Sequence, residues 1–195
     1  MAVGTVWGVS LVEWAFEVSR RHLAEALPRR WAHVQGVAAR ARGLRGVVGD
    51  DAELLEAAAV LHDVGYAPTL ARTGFHPLDG ADYLRSIGAP ERLVHLVAHH
   101  SYAALEARLR GLTGELERYR DEEGVTRDAL WYCDLTTTPD GERTTAPARI
   151  AEIKARYGPG HLVTEFITLA SPVLLAAVGR TQQRLGRAVV TPGTG

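Results

Sequence analysis

The stretch from Ala58 to Tyr66, AAVLHDVGY, constrains the fold more than any other part of the chain. It opens with four uninterrupted apolar residues, which indicates the end of a buried helix. His62 and Asp63 follow directly, and Gly65 is expected to end the helix in a left-handed conformation. Burying an unpaired polar group costs about 1–3 kcal/mol, and burying a charge costs more. We therefore expect a shared cation to satisfy both side chains.

A cation at this helix end needs ligands from elsewhere, because adjacent helical side chains diverge by about 100°. His33 lies beside the apolar stripe of a predicted helix, and Asp134 ends a later one. A carboxylate is unfavourable at a helix C-terminus, so the position of Asp134 also indicates a cation. Mixed nitrogen and oxygen ligands suit Mn, Fe, Co, Ni, Zn or Mg better than a structural zinc site made of cysteines.

Apolar residues recur at helical spacing, and no segment shows a convincing alternation with a period of two. The predicted helices cover residues 7–27, 29–42, 50–63, 77–87, 91–110, 126–134, 147–157 and 161–186, with a further exposed helix or lid at 114–123. Asp50 and Glu53 are expected to form a capping box, and Pro172 is expected to break or kink the last helix. The predicted fold class is all-α, an irregular bundle of about eight to nine helices. It forms a single domain over residues 1–190, followed by a disordered tail at 191–195.

Composition narrows the classes of partner and location. The 195 residues carry a formal charge of −1, so no electrostatic footprint for nucleic acid is expected. The basic cluster of Arg20, Arg21, Arg29 and Arg30 is interpreted as a solvated face. No apolar run approaches the roughly 20 residues of a membrane span, so no membrane partner is expected. The N-terminus lacks signal-peptide features and Cys133 is the only cysteine, which favours a cytoplasmic, reducing location.

The ordered set His33, His62-Asp63 and Asp134 resembles the H…HD…D pattern of the HD-domain metal-dependent phosphohydrolase superfamily. The resemblance covers about residues 28–160, which would form the metal-site core of the domain. It implies an HD-type helical bundle, in which these four residues would hold the first divalent metal.

Two further stretches resemble the binuclear members of that superfamily. The segment from His76 to Ala81, HPLDGA, matches an HPxxGA stretch, and the pair His99-His100 follows it. The resemblance implies that Asp63 bridges two metals, the second held also by His76 and one of the paired histidines. His100 is favoured because it continues the apolar face of its predicted helix, and His99 stays an alternative.

Two ions about 3.5–4 Å apart can share a hydroxide and stabilise the attacking and leaving oxygens of a phosphate ester. His62 and Asp63 would then act through a metal-bound hydroxide, with no side-chain nucleophile. Candidate contacts for a substrate phosphate are Thr137, in the polar loop of residues 136–138, and either Arg149 or Arg72. Ordinary turn chemistry explains the threonines equally well, and surface exposure explains the arginines.

The leading hypothesis is therefore a metal-dependent phosphohydrolase of a phosphomonoester or phosphodiester, with nucleotides among the substrates. One alternative is an HD-fold diiron oxygenase, since some members use the same six ligands to activate oxygen. Another is a non-catalytic module that binds a nucleotide and keeps the metal for structure. Ser101-Tyr102-Ala103 after the paired histidines departs from the continuation typical of cyclic di-GMP phosphodiesterases. The sequence leaves the oligomeric state undefined.

Overall fold

Helices make up almost all of the regular structure in residues 8–190, the part that the computed structural model describes, with side chains described to residue 188. In chain order the α-helical segments are α1 (Leu11–Leu23), α2 (Pro28–Arg42), α3 (Arg45–Val48), α4 (Ala52–Leu61), α5 (His76–Ser86), α6 (Glu91–Ala98), α7 (Ala103–Arg110), α8 (Thr113–Leu116), α9 (Val125–Leu135), α10 (Ala146–Tyr157) and α11 (Leu162–Val190). Nine of these described segments have eight or more residues, while α3 and α8 have four each.

The predicted all-α bundle of eight to nine helices is thus confirmed. Among residues 8–190, one β pairing has both partners described, an isolated antiparallel bridge between Thr137 and Arg143. The tail predicted at residues 191–195 lies outside the described residues, and the single-domain boundary stays a prediction.

Helix α4 forms the centre of the bundle. Every residue from Leu54 to Leu61 is buried, and the helix packs against α1, α2, α6 and α9. Burying one Leu or Val side chain stabilises the fold by about 1.5–3 kcal/mol, so an apolar helix of this length is held firmly on all sides. The residues that follow it, His62 and Asp63, are consequently fixed in the interior rather than at the surface.

Two helix ends differ from the local sequence prediction. The prediction of a capping box at Asp50 and Glu53 is wrong, because α4 begins at Ala52 after a short 3-10 turn and has no side-chain cap. Glu53 Oε1 instead accepts a hydrogen bond of 3.0 Å from the backbone N–H of Leu11, which ties α1 to α4. A capping box does form at Ser10 and Glu13, at the start of α1.

The helix predicted over residues 91–110 is interrupted. Helix α6 ends at Ala98, and a 3-10 turn over His100–Tyr102 separates it from α7. Ser101 and Tyr102 have φ of 48° and 60°, in the left-handed region that costs a residue other than glycine roughly 1–2 kcal/mol. By contrast, α11 runs from Leu162 to Val190 with Pro172 inside it. A break at Pro172 is therefore wrong, and the alternative expectation, a kink, stays a prediction.

Helix α11 is the one described helix that is long and apolar enough to cross a membrane, over Leu162–Ala188, by length and composition only. The expectation that no apolar run approaches the length of a span is therefore wrong. One face of α11 belongs to the core, where Leu174 is fully buried, and Arg180 pairs with the buried Asp128 at 2.7 Å. Helices in the core of a protein can be equally long and apolar, so the length and composition of α11 do not imply contact with a membrane.

Candidate metal centre

The end of α4 places the Asp63 carboxylate between two groups of side chains. One oxygen, Oδ2, lies 3.4 Å from Nε2 of His62 and 3.8 Å from Nε2 of His33. The other oxygen, Oδ1, lies 3.3 Å from Nε2 of His76 and 3.9 Å from Nε2 of His100. Each oxygen of one carboxylate thus faces its own pair of imidazoles, an arrangement suited to bridging two ions.

The first group consists of His33, His62 and Asp134, with one ligand atom of each within 4.8 Å of the others. Nε2 of His33 lies 3.1 Å from Oδ1 of Asp134, and Nε2 of His62 lies 3.9 Å from the same oxygen. Nε2 of His62 is buried and has no hydrogen-bond partner among the described residues. A buried, unpartnered nitrogen facing two carboxylates fits a bound cation, because such groups are rarely left unpaired.

The second group consists of Asp63, His76 and His100, whose ligand atoms also lie within 4.8 Å of one another. His76 is the first residue of α5, and its Nε2 lies 3.0 Å from Nε2 of His100. The Tyr66 ring stacks on the His76 imidazole with 3.9 Å between centroids, which restricts rotation of the imidazole. The structure thus brings all six predicted ligands together around Asp63.

Backbone carbonyls fix the tautomer of three of these imidazoles. Nδ1 of His33 lies 2.9 Å from the Thr138 carbonyl, Nδ1 of His62 lies 2.8 Å from that of Ala59, and Nδ1 of His100 lies 2.7 Å from that of Val97. A neutral imidazole that donates from Nδ1 keeps its lone pair on Nε2. In each case this lone pair faces the carboxylates, as metal ligation requires.

The paired histidines take different directions because the helix breaks between them. His99 directly follows α6, and its Nε2 donates to the Tyr119 carbonyl at 2.8 Å, away from Asp63. His100 starts the 3-10 turn and enters the second group. Ser101, in a left-handed conformation, donates its hydroxyl to Oδ2 of Asp134 in a very short contact. The strained backbone at Ser101 and Tyr102 therefore lies where the ligand His100 is placed and where the ligand Asp134 receives a hydrogen bond.

Arg30 adds a positive charge next to the carboxylates. Its Nη1 donates to Oδ2 of Asp63 at 2.6 Å, and its guanidinium lies 4.0 Å from the ring centroid of Tyr66. Burial would raise the pKa of Asp63, but Arg30 and His62 outweigh it and hold that pKa well below its usual value. Asp63 is therefore ionised at neutral pH and able to bind a cation.

The surroundings shift the pKa values of two imidazoles in opposite directions. Burial, together with the neighbouring His76 and His62, lowers the pKa of His100 to about 3, so His100 stays neutral and its lone pair stays free. Burial also acts to lower the pKa of His62, yet Asp63 and Asp134 raise it above its usual value.

Three residues that contribute to the centre were missed from the sequence. The interpretation of Arg30 as part of a solvated face is wrong, because its side chain is only 22% exposed and pairs with Asp63. Arg30 lies one helical turn before His33, so the i to i+3 spacing in α2 was a usable signal. Tyr66 closes the turn after His62-Asp63, and its role depends on a ring contact that spacing does not reveal. Ser101 depends on a break in the helix that no local residue type indicates.

A cavity of about 290 Å³ adjoins the centre and is lined in part by Asp63, His76, His100 and Asp134. Arg149, one of the predicted phosphate contacts, lines the same cavity. Thr137 is fully buried and donates its hydroxyl to the Cys133 carbonyl at 2.7 Å, so that hydroxyl is already used. Arg72 is exposed and lines a different pocket, beside Asp79.

The Ser101 hydroxyl offers a test of how Asp134 is oriented. We expect Ser101→Ala to weaken metal binding about 10-fold, because residues that hydrogen-bond a ligand typically contribute 10- to 100-fold. Ser101→Gly should weaken it similarly but unfold at a higher temperature than Ser101→Ala, since glycine relieves the left-handed strain. Calorimetric titration with Mn and thermal unfolding measure the two effects. Native metal affinity in both variants would contradict this role of the hydroxyl.

Comparison with known proteins agrees with this geometry. The family model for the HD domain matches residues 30–151, more than half of the chain. The chain is 38% identical over 79 residues to ribonuclease Y of Frankia casuarinae and to ribonuclease Y of Frankia alni. The match covers 40% of this chain but only 12% and 11% of those proteins. No solved structure matches the chain significantly.

Proposed function

The chain belongs to the HD domain family, and we propose that it is a metal-dependent phosphohydrolase acting on a phosphomonoester or phosphodiester of a small molecule, nucleotides included. The observation that carries the proposal is Asp63, which presents one oxygen to His33 and His62 and the other to His76 and His100. Enzymes of this family are generally phosphohydrolases that depend on divalent metals.

Each part of the centre has a separate task in this proposal. His33, His62 and Asp134 would hold one ion, and His76 and His100 the other, with Asp63 shared. Divalent ions held there would supply activated water and stabilise the charge of the phosphate group. Arg30 keeps Asp63 ionised and offers a guanidinium at the cavity wall, where it can orient a phosphate oxygen. Carbonyl contacts keep three imidazoles in the ligating tautomer throughout.

The size of the cavity favours a small molecule. At about 290 Å³ it lies just below the range of typical small-ligand pockets, roughly 300–1000 Å³. Ribonuclease Y is named for the cleavage of RNA, but the shared segment is a small fraction of that protein. With a formal charge of −1 for the whole chain, we propose a metabolite-sized phosphate ester and not a polynucleotide.

A diiron oxygenase is the second candidate, because four imidazoles and two carboxylates in two groups suit a pair of irons as well as other divalent metals. A non-catalytic regulatory module is less well supported, since all six predicted ligands are present and a cavity opens beside them.

Phosphate release and metal content test the proposal together. Protein purified without chelator should contain divalent metal, and with added Mn, Co or Ni it should release phosphate from members of a panel of nucleotides and sugar phosphates. Chelation should abolish this release, and returning the metal should restore it. Oxygen uptake by an iron-loaded sample with no ester cleavage would favour the oxygenase. A fully metallated protein that turns over no phosphate ester would refute the phosphohydrolase.

A further inference from the structure

The cavity beside the metal centre has a second cationic region, which we call the arginine cluster: Arg149, Arg156 and His161. Arg149 and Arg156 lie on α10, and His161 directly precedes α11. Apolar side chains also line the cavity, namely Leu135, Ile153, Phe166, Ile167 and Leu174. One continuous cavity thus contains a metal centre, an apolar wall and a separate set of cationic groups.

The arginine cluster carries more positive charge than its own partners neutralise. Arg149 donates to Glu152 Oε2 in a very short ion pair, and Arg156 lies 3.4 Å from Oε1 of the same residue. Two guanidinium groups therefore share one carboxylate. The Arg149 side chain is only 6% exposed, and its Nε has no hydrogen-bond partner among the described residues. A buried guanidinium that lines a cavity and shares its carboxylate partner with a second arginine favours an anionic ligand in that cavity.

His161 adds a hydrogen-bond donor to this cluster. Its Nδ1 accepts from the backbone N–H of Val163 at 3.1 Å, so in the neutral imidazole the proton is on Nε2. The imidazole also packs against the Tyr157 ring, with 4.8 Å between centroids, while Arg156 lies over that ring at 5.1 Å. These contacts place both Arg156 and His161 against the Tyr157 ring.

We propose that the arginine cluster binds a second anionic group of the substrate, a carboxylate or a phosphate separate from the phosphate at the metal centre. The inference rests on the proposed function, in which the ions and Arg30 neutralise the phosphate that is cleaved. The charge left over at Arg149 and Arg156 then requires another anion. The apolar wall in the same cavity suits a short carbon skeleton that joins the two groups. The substrate class is therefore a small phosphate ester with a second acidic group.

Matched phosphonates test this inference by binding alone. In Mn-loaded protein, calorimetry compares 3-phosphonopropionate with its amide, which has the same size but lacks the second charge. Ethylenebisphosphonate, in which the second acidic group is also a phosphonate, shows whether the arginine cluster prefers a phosphate or a carboxylate. We expect at least one of the two doubly anionic compounds to bind about tenfold or more tightly than the amide, the usual worth of a charge-assisted hydrogen bond. Arg149→Gln and Arg156→Gln should each remove this difference, whereas Arg20→Gln, in an exposed pair with Glu17, should keep it.

The outcomes separate the subsite from the catalytic proposal. Equal affinities for the amide and both doubly anionic compounds, including no measurable binding of any, would overturn the subsite. So would a difference that persists in both arginine variants. Arg156 is about one-third exposed, so its variant serves even if Arg149→Gln does not fold. Failure of the phosphohydrolase proposal would instead appear as absent ester cleavage while the difference in affinity is retained.

Discussion

We expect Asp63→Asn to lose nearly all metal-dependent activity, with a fall of about 10³-fold or more in kcat/KM, which corresponds to roughly 4 kcal/mol. An amide has one carbonyl oxygen and one NH2 group, and the latter cannot serve as a metal ligand. Since each oxygen of Asp63 faces a different pair of imidazoles, one of the two pairs must lose the oxygen that residue 63 contributes. The remaining oxygen is uncharged and still lies next to Arg30. Metal content should fall together with activity, by elemental analysis of both proteins after identical purification.

Asp128→Asn is the matched control, because Asp128 is also a buried carboxylate but belongs to neither ligand group. It pairs with Arg180 at 2.7 Å and with Arg184 at 3.5 Å, and it is 3% exposed. Removing its charge should lower stability without lowering the metal content of the folded protein. If Asp63→Asn kept native metal content and turnover, the bridging role of Asp63 would be refuted. If both variants lost metal equally, general unfolding would be the explanation.

Ligands carried by regular helices were predictable, because helical periodicity specifies which face is buried. The predicted helix over residues 29–42 corresponds to Pro28–Arg42, and it carries His33 into the core. His76 was expected near the start of a helix and is the first residue of α5. Asp134 was expected at a helix end and lies in the last turn of α9. In these places local pattern and tertiary packing agree.

Features that depend on contacts between distant residues were not predictable in this way. Glu53 has the spacing of a capping residue, yet its carboxylate bonds a backbone N–H 42 positions earlier. The apolar pattern of residues 91–110 continues through the paired histidines, but the backbone breaks at Ser101 and Tyr102. Thr137 lies in a polar loop, but its hydroxyl bonds the carbonyl four residues before it, as threonine often does at a helix end.

The role of Gly65 also depends on a contact between distant residues, and it differs from the predicted role. It was expected to end α4 in a left-handed conformation, but it lies in a 3-10 turn over Val64–Tyr66 and its φ is not in that region. A Cβ at this position would lie 2.1 Å from the His76 carbonyl oxygen and 2.5 Å from the Gly80 backbone nitrogen. Glycine is needed here because the turn after His62-Asp63 and the start of α5 are in backbone contact.

We therefore expect Gly65→Ala to damage both stability and the second ligand group. The nearest atoms belong to the backbone, so the turn and α5 must move apart, which should destabilise the fold by about 3 kcal/mol or more. For a chain of this length that is a decrease of roughly 10 °C in Tm. Since His76 is the first residue of α5, the same movement separates its imidazole from Asp63 and His100. Thermal unfolding and metal titration measure the two effects.

Gly46→Ala is the control for this substitution. Gly46 lies in α3 without a left-handed φ, and a Cβ there would meet no atom within 4 Å. Its replacement should be neutral or stabilise the protein by up to about 1 kcal/mol, because alanine restricts the unfolded chain more than glycine does. A Gly65→Ala protein with the Tm of Gly46→Ala would show that the turn and α5 can separate freely. The position of His76, and with it the second ligand group, would then depend on something other than this backbone contact.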